Sequence, residues 1–318
     1  MTDVLVVGDA NPDLILAGDV VPRFDQAEQL LTGAEVVLGG SAAIMAHALA
    51  RLGRPTRLVA TTGADAFGYL VSRMLASAGV ESRGIIRDQA LSTGVTIALS
   101  TGPDRAVLTY TGAISELTGA QAHAGLEQAI RDGVRHVHAA SFFLQPALAE
   151  ALPGLFERAQ AAGLTTSLDT NFDPAGQWQG VGPVLPHLDL LLPNRTEVLA
   201  LAKAQGTATE DVEAAARGLA SHGPDVVVKD GPAGAVQVTA DGVVLREPGT
   251  PVEPLDTTGA GDTFDAAFID GRLRGLDPVD CLRRACLAGA ISTSGVGTAG
   301  QPTSDQLTPE GTTDARHA

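Results

Sequence analysis

Residues 256–269 read DTTGAGDTFDAAFI, in which a short run of small residues leads into the carboxylate Asp262. The small residues at 259–261 leave their backbone N–H groups accessible, and a helix that starts directly after such a turn points further N–H groups at an anion. A carboxylate beside a bound phosphoryl group can accept the proton of an incoming hydroxyl. A helix cap explains the turn equally well, because Thr257, Thr258 and Asp262 all favour that position. Under the first interpretation the catalytic residues are Asp262, Gly259, Ala260 and Gly261.

The charge of the chain limits its partners. The 318 residues include 21 Lys and Arg against 37 Asp and Glu, which gives a net charge of −16 and an isoelectric point near 4.7. Such a surface repels nucleic acids and anionic membranes, and 3% aromatic residues offer few platforms for base stacking. A local group of N–H donors with a divalent cation can still hold an anionic nucleotide. We therefore expect small-molecule ligands, with no nucleic acid and no membrane as partner.

The N-terminus and the cysteines favour a cytoplasmic protein. The first residues, MTDVLVVGDANPD, lack a basic leader and contain Asp3 and Asp9, and no apolar run reaches the roughly 18 residues of a membrane span. Cys281 and Cys286 lie five residues apart on a predicted helix, where their side chains point in different directions. We therefore expect two reduced thiols rather than a disulfide.

Short apolar runs alternate with amphipathic segments along the chain. This alternation is typical of an α/β fold, and it predicts a three-layer α/β/α sandwich around a Rossmann-like, mostly parallel sheet. The predicted strands are residues 4–8, 57–61, 136–141, 165–169, 188–193 and 225–230. The predicted helices include residues 42–53, 65–79, 119–132, 146–163, 195–204, 210–221 and 262–274.

Two regions break the alternation. Residues from about 13–38 and 93–112 contain strand-like segments without a long helix between them, and they predict a small second sheet. The sheet would belong to one domain at residues 1–304. Residues 305–318 lack an apolar repeat, so we expect a polar C-terminal tail there.

The run at 256–269 closely resembles the C-terminal signature of the ribokinase-like (PfkB) family of carbohydrate kinases, and the resemblance extends over nearly the whole chain. The matching residues are Asp256, Gly259, Ala260, Gly261, Asp262, Ala266, Ala267, Phe268 and Ile269. The resemblance implies a ribokinase-like fold and transfer of the γ-phosphate of ATP to a primary hydroxyl of a sugar or sugar-like polyol, with Mg²⁺ present. It also implies that the small sheet is a lid over the sugar and, frequently, the contact surface of a homodimer.

Sugar-contacting positions are implied by two further matches to the family, at residues 11–13 and 39–41. Ordinary turns would also explain Asn-Pro-Asp at 11–13 and Gly-Gly at 39–40. Ile44 stands where many members have an asparagine that hydrogen-bonds a sugar hydroxyl, so ribose specificity does not transfer simply. Asp173 stands where related sugar kinases often have an arginine, which weakens an assignment to the ketodeoxygluconate or fructokinase branches. The implied substrate residues are Asn11, Asp13, Gly39, Gly40 and Ser41. Arg105 on the proposed lid is a further candidate for substrate contact, although an exposed charge on a strand is usually just solvated.

The nucleotide end is implied by motifs in the second half of the chain. Asn194 and Glu197 are similar to the family's Asn-x-x-Glu motif and offer oxygen ligands to Mg²⁺ through water, although the same pair also suits a helix cap, and both roles can hold together. A solvated strand-end lysine is the other interpretation of Lys229. The implied nucleotide residues are Asn194, Lys229, Gly231, Gly259, Gly261, Ala288 and Ser292, and Asp256 and Thr258 are implied ligands of a monovalent cation, K⁺.

Other functions fit the sequence less well. A nucleoside kinase of the adenosine or cytidine type shares the fold and the motif, and Ile44 leaves that alternative open. A dehydrogenase is disfavoured because residues 8–13, GDANPD, contain no G-x-G-x-x-G, and residues 39–43, GGSAA, do not form the G-x-S-x-G elbow of a hydrolase. A catalytically silent sugar-binding regulator stays open, but it would have no need for Asp262.

Overall fold

The structure is a computed structural model that describes residues 2–25, 28–100 and 105–307. Within these ranges the chain forms two sheets and two layers of helices. The strands are β1 (Val4–Val7), β2 (Asn11–Gly18), β3 (Leu31–Gly39), β4 (Thr56–Gly63), β5 (Ile85–Asp88), β6 (Val95–Ser100), β7 (Arg105–Tyr110), β8 (His136–Ala140), β9 (Thr165–Asp169), β10 (Leu190–Leu191), β11 (Asp225–Lys229), β12 (Ala235–Val238) and β13 (Val244–Glu247).

The main sheet has nine strands in the order β13-β12-β11-β10-β9-β8-β1-β4-β5. Neighbouring strands from β11 to β5 are parallel, and β12 and β13 extend the sheet as an antiparallel hairpin. Along β1, Leu5 and Val7 pack into one core and Val4 and Val6 into a second core on the opposite face. A sheet buried on both faces needs the continuous apolar runs that the sequence shows. The predicted mostly parallel sheet is confirmed.

Helices cover both faces of the main sheet. The helices are α1 (Ser41–Arg51), α2 (Ala66–Ser77), α3 (Gly119–Arg131), α4 (Pro146–Ala161), α5 (Arg195–Ala204), α6 (Val212–Ala220), α7 (Ala260–Arg274) and α8 (Pro278–Ser292). Apolar residues of α3 to α6 fill one core, and those of α1, α2, α7 and α8 fill the other. The predicted three-layer α/β/α sandwich is therefore confirmed.

Three strands of the main sheet, β5, β12 and β13, were not predicted. Each has four residues, and β5 and β13 contain charged residues such as Arg87 and Arg246. β5 and β13 are the two edges of the sheet, and an edge strand needs little apolar sequence because one side remains in solvent; β12 lies inside the sheet, but four residues give too short a run to recognise. Their hydrophobic pattern is too weak to identify them from the sequence.

The second sheet contains β3-β2-β6-β7, in that order. It is antiparallel except between β2 and β6, and it lies where the segments 13–38 and 93–112 predicted a separate small sheet. We call these four strands the lid sheet. Because β1 is followed directly by β2, and β3 directly by α1, the lid sheet is attached at the carboxyl end of β1 in the main sheet.

The C-terminal part of the described chain packs against the domain. Cys281 and Cys286 both lie on α8 as free, buried thiols. Residues Asp305–Leu307 form a single 3₁₀ turn that buries Leu307, and residues 308–318 of the predicted tail lie outside the described residues. Among the described helices, none combines the length and the apolarity that crossing a bilayer requires.

Candidate active site

The first turn of α7 carries the predicted catalytic segment. Gly259 precedes this helix with φ 73° and ψ 8°, a left-handed conformation that glycine adopts without strain. A β-carbon at this position would come within 2.8 Å of Ile44 Cγ2, so the available space also requires glycine. No side chain of the described residues caps α7, which argues against a capping role for Thr257, Thr258 or Asp262.

The backbone N–H groups that have no partner at this turn are not the same set as those predicted for the anion hole. The Ala260 N–H donates to the Thr257 carbonyl oxygen at 3.3 Å. The N–H groups of Gly261 and Asp262 have no acceptor within the described ranges. They lie at the positive end of the helix dipole, where an anion is stabilised. The N–H group of Asp262 is therefore available to bind a phosphate although it was not predicted to be, whereas the predicted N–H group of Ala260 is not available.

The Asp262 side chain is held at the start of α7 by a single neutral partner. Its carboxylate is 9% exposed and accepts a hydrogen bond from Ser41 Oγ. Burial and the negative charge of Asp169 raise the pKa of Asp262 to about 7, against the lowering effect of Ser41. A carboxyl group with a pKa near 7 can accept and release a proton at neutral pH, as a general base must. Ser41, which the sequence predicts as a substrate-contacting residue, donates its hydroxyl to the predicted base.

Asp9 is a residue of this site that the sequence interpretation did not identify. It is buried directly after β1, and its Oδ1 accepts the Ala42 N–H at 3.0 Å in the first turn of α1. A β-carbon on Gly40, at φ 83°, would lie 2.9 Å from the Asp9 carbonyl oxygen, so this close turn requires glycine. Asp9 also helps raise the pKa of Asp262. Its position after a strand of a parallel sheet, where ligands bind in α/β folds, was the available signal.

Asn11, Asp13 and Gly39 meet at the junction of the lid sheet and α1. Asn11 Nδ2 donates to Asp13 Oδ1 at 2.8 Å and to Thr96 Oγ1 of β6 at 3.3 Å. The two side chains lie on one face of β2 because they are two residues apart. A β-carbon on Gly39 would lie 1.9 Å from Asp13 Oδ1, so glycine is what allows the carboxylate to approach β3.

The other residues discussed for the sugar end lie in different surroundings. The side chain of Arg105 lies outside the described part of the chain, although its backbone begins β7 opposite Ser100. Ile44 is 5% exposed, next to the Gly259 turn. Asp173 is buried and accepts the N–H groups of residues 175, 177 and 178, so its carboxylate folds the loop after β9.

Lys229 is not the solvated strand-end lysine that was considered. Its Nζ donates to Asp169 Oδ2 at 2.7 Å and to Asp265 Oδ2 at 2.9 Å, and its side chain is 11% exposed. The two carboxylates raise the pKa of Lys229, and burial raises the pKa of Asp265 well above its ordinary value. Asp169 and Asp265 are further site residues that the sequence interpretation missed. Asp169 ends β9, and Asp265 follows Asp262 by three residues on α7, so both positions pointed towards the site.

Asn194 and Glu197 form the helix cap that was one of their two interpretations. The Asn194 N–H donates to Glu197 Oε2 at 2.8 Å, and the Glu197 N–H donates to Asn194 Oδ1 at 3.0 Å, which is a reciprocal capping box. Burial and the nearby charge of Asp169 raise the pKa of Glu197 to about 7. The pair is therefore fixed at the start of α5, near the Lys229 cluster.

A cavity of about 490 Å³ opens beside the first turn of α7. Its wall includes the predicted residues Lys229, Gly231 and Gly261. Ala288 and Ser292 were predicted to line the nucleotide site, but both are fully buried and do not line this cavity. Helical spacing on α8 instead presents four other residues to it, namely Cys286, Gly289, Ala290 and Thr293.

Asp256 organises the loop that leads into α7. Its Oδ1 accepts the N–H of Thr258 at 2.9 Å and the Thr258 hydroxyl at 2.7 Å, and its Oδ2 accepts the Gly297 N–H at 2.8 Å. Both carboxylate oxygens therefore already have partners. The observed role of Asp256 is to fix the 256–258 loop to the segment around residue 297.

Comparisons with known proteins show the family and the fold of the chain. The chain is 32% identical over 311 residues to the ATP-dependent ribose-1-phosphate kinase of Halopiger xanaduensis, covering 96% of this chain and 97% of that protein. It is 27% identical to the ribokinase of Bacillus subtilis over 96% and 98% of the two chains. The structure of the Arabidopsis thaliana ribokinase complexed with ribose and ATP has a TM-score of 0.84 at 24% identity, with 96% and 98% covered, which supports the fold. Residues 1–305 match the pfkB family carbohydrate kinases, and the chain therefore belongs to that family.

Proposed function

We propose that this carbohydrate kinase transfers the γ-phosphate of ATP to a primary hydroxyl of a sugar, with Asp262 as the general base. One observation carries the proposal. The Asp262 carboxyl, with a pKa of about 7, lies beside unpaired N–H groups at the start of α7, close to both Ser41 and the 490 Å³ cavity. The base, the phosphate-binding amides and the nucleotide cavity thus meet at one turn.

The residues around Asp262 divide the chemical work. Ser41 Oγ donates to Asp262 Oδ1, which leaves Oδ2 to accept the proton of the sugar hydroxyl. The hydroxyl oxygen then attacks the γ-phosphorus, and the bond to the leaving ADP breaks. The N–H groups of Gly261 and Asp262 stabilise the charge on the transferring phosphoryl group, at a helix N-terminus where water competes poorly.

Mg²⁺ supplies charge neutralisation on the triphosphate in such reactions. Within the described residues no group of three or more His, Cys, Asp or Glu side chains is placed to hold a metal ion. A Mg²⁺ held mainly by phosphates and waters, with one protein carboxylate nearby, fits that donor set. Glu197, with Asn194, is the proposed carboxylate, and it would act through water because both of its oxygens already accept hydrogen bonds from Asn194.

The proposed acceptor is a neutral pentose-like sugar. The described side chains at the sugar end are Asn11, Asp13 and Ser41, with Asp9 behind them, and this set favours hydroxyl donors over anions. The relative named as a ribokinase supports the same class. Gly39 and Gly40 leave the backbone open to the sugar at this point.

A phosphorylated pentose is the second candidate. The relative with 32% identity is named as a ribose-1-phosphate kinase. Arg105 on β7 is the residue that we propose would bind an added phosphate, because arginine pairs with phosphate in a bidentate manner. An Arg105→Met variant would then lose activity on the phosphorylated sugar and retain it on the neutral one.

An acceptor panel tests both candidates. ADP release would be measured with MgATP and ribose, ribose 1-phosphate, other sugars and a set of nucleosides. We expect the highest kcat/KM with ribose or a closely related pentose. Preference for ribose 1-phosphate would select the second candidate, preference for a nucleoside would select the nucleoside kinase, and ATP binding without any turnover would favour the silent regulator.

Three further features of the enzyme are proposals. The first is that Asp256 and Thr258 hold K⁺. Higher turnover in KCl than in choline chloride at equal ionic strength would support this proposal, and equal turnover would contradict it. A homodimer through the lid sheet is supported by exposed apolar residues on its edge strands, among them Val36, Val107 and Leu108, and analytical ultracentrifugation tests it. A cytoplasmic location stays a prediction from the sequence.

A further inference from the structure

The cavity beside α7 has two ends of different chemistry. One end contains Lys229 and Gly261, close to the N–H groups proposed to bind phosphate. The other end extends between the 249–254 segment and α8, over a total volume of about 490 Å³. This volume suits a nucleoside, since ligand pockets in proteins range from about 300 to 1,000 Å³. If the triphosphate lies at the α7 turn as proposed, the base occupies the far end.

Two of the polar side chains of this cavity, Lys229 and Thr293, are engaged elsewhere. The Lys229 amine is held by Asp169 and Asp265. The Thr293 hydroxyl donates to the Ala290 carbonyl oxygen at 2.7 Å. Burial raises the pKa of Cys286 to about 12, so its side chain remains a weakly bonding thiol. Two hydroxyl side chains of the lining, Thr250 at the far end and Thr257 in the loop that leads into α7, have no hydrogen bond to another described residue.

Three residues of the cavity wall contribute no backbone donor. Pro232, Pro251 and Pro254 all line the cavity, and proline has no N–H. Most of the remaining wall is glycine or small apolar side chains, together with Phe264 of α7. An aromatic ring stacks on any base, because every base has a π-face. The wall therefore offers shape and apolar contact, which adenine, guanine and the pyrimidines can all use.

We propose that the enzyme selects its phosphoryl donor by the triphosphate and accepts purine and pyrimidine nucleoside triphosphates alike. A site built to hydrogen-bond a particular group rejects an analogue by about 10⁴–10⁵, whereas an apolar pocket discriminates only about 10- to 200-fold. The far end of this cavity belongs to the second type. This proposal rests on the proposed function for the position of the triphosphate, at the α7 turn.

A donor panel tests the proposal. We would measure kcat/KM for ATP, GTP, CTP and UTP with the best acceptor, and Kd for the non-hydrolysable β,γ-imido analogues of ATP and GTP without acceptor. We expect all values to lie within about 100-fold of those for ATP. A preference for ATP above 1,000-fold would overturn the proposal. If the analogues bind equally but no donor supports turnover on any acceptor, the proposed function fails while the inference on base selection stands.

Two variants locate the base. Ala290→Leu fills the far end of the cavity and should weaken the binding of all four nucleotides by at least tenfold. The binding of inorganic tripolyphosphate at the α7 turn should stay unchanged. Thr250→Val should change the affinity for all four nucleotides by the same factor. A loss confined to ATP in the Thr250→Val variant would identify Thr250 as an adenine-reading residue and contradict the proposal, as would unchanged nucleotide affinity in Ala290→Leu.

Discussion

The two ends of the proposed site are built differently. At the phosphate end, Asp262, Asp265 and Lys229 lie on α7 and β11 inside the main domain, and charged groups contact one another at 2.7–2.9 Å with little exposure to solvent. At the sugar end, Asn11 and Asp13 lie on β2 of the lid sheet, whose strands are half-exposed beyond that point. In the proposed mechanism the residues of transfer are therefore fixed in the core, whereas those proposed to recognise the acceptor depend on a separate sheet.

Asp262→Asn should have the largest effect on activity, because it removes the proposed general base from the phosphate end. The amide cannot accept the proton of the acceptor hydroxyl, so kcat should fall about 10²- to 10⁴-fold with little change in the Kd for ATP. Steady-state kinetics of ADP release measures kcat, and a nucleotide-binding titration measures the Kd for ATP. Near-normal turnover would show that Asp262 is not the base.

The stability of the same variant provides a control. The folded state raises the pKa of Asp262 from 3.8 to about 7, so its contribution to stability is present below pH 4 and is lost as the pH rises through 7. At pH 8 the Asn variant should therefore be at least as stable as the parent. A lower Tm at pH 8 would mean that the loss of activity includes misfolding.

Lys229→Met should destabilise the phosphate end more than any substitution at the sugar end. Without the ammonium group, the carboxylates of Asp169 and Asp265 lie buried with no cation beside them, which costs about 3–5 kcal/mol. Urea denaturation measures the change. The double variant Lys229→Met/Asp265→Asn should recover part of the loss, because one buried carboxylate is removed. No recovery would show that packing of the lysine chain, rather than its charge, is what matters.

The sequence was sufficient to predict the main sheet, the lid sheet and the family. The buried runs of β1, β8, β9 and β11 and the spacing of the helices predicted the three-layer fold, and strand-like segments without a helix predicted the lid sheet. The motif around Asp262 predicted the family. These signals are local, since each depends on residues that are neighbours in the chain.

Contacts between distant segments could not be predicted in the same way. Lys229 meets Asp169 and Asp265 across 60 and 36 residues, and Ser41 meets Asp262 across 221 residues. Nothing in the spacing of these residues indicates that they are partners. For the same reason, Ala288 and Ser292 were assigned to the cavity although α8 turns other residues towards it.

Asp13→Asn tests the sugar end with little change of shape. The neutral amide keeps an oxygen for Asn11 but accepts sugar hydroxyls less strongly than a carboxylate, and a hydrogen bond to a charged group contributes about 1.5–3 kcal/mol. The KM for the sugar should rise about 10- to 100-fold, while the KM for ATP stays constant. Thr96→Val is the matched control, because Thr96 is the β6 neighbour of Asp13 and its hydroxyl accepts a hydrogen bond from the same Asn11 amide, but its removal leaves the Asp13 carboxylate in place. Equal effects of the two variants would indicate a general disturbance of the lid sheet.

Ser41→Ala sharpens the comparison at the point where the two ends meet, and it should have the smallest effect. In the parent, kcat/KM should rise with pH up to about 7 and then level, because Asp262 must lose its proton before it can act as a base. The hydrogen bond from Ser41 lowers the pKa of Asp262, so its removal should move the rising limb to higher pH. The variant should then lose activity severalfold at pH 6 and much less at pH 9, where the carboxylate is ionised in both proteins. A loss of equal size at both pH values would instead assign Ser41 to the acceptor, as the sequence first suggested, and would move the boundary between the two ends from Asp262 to Ser41.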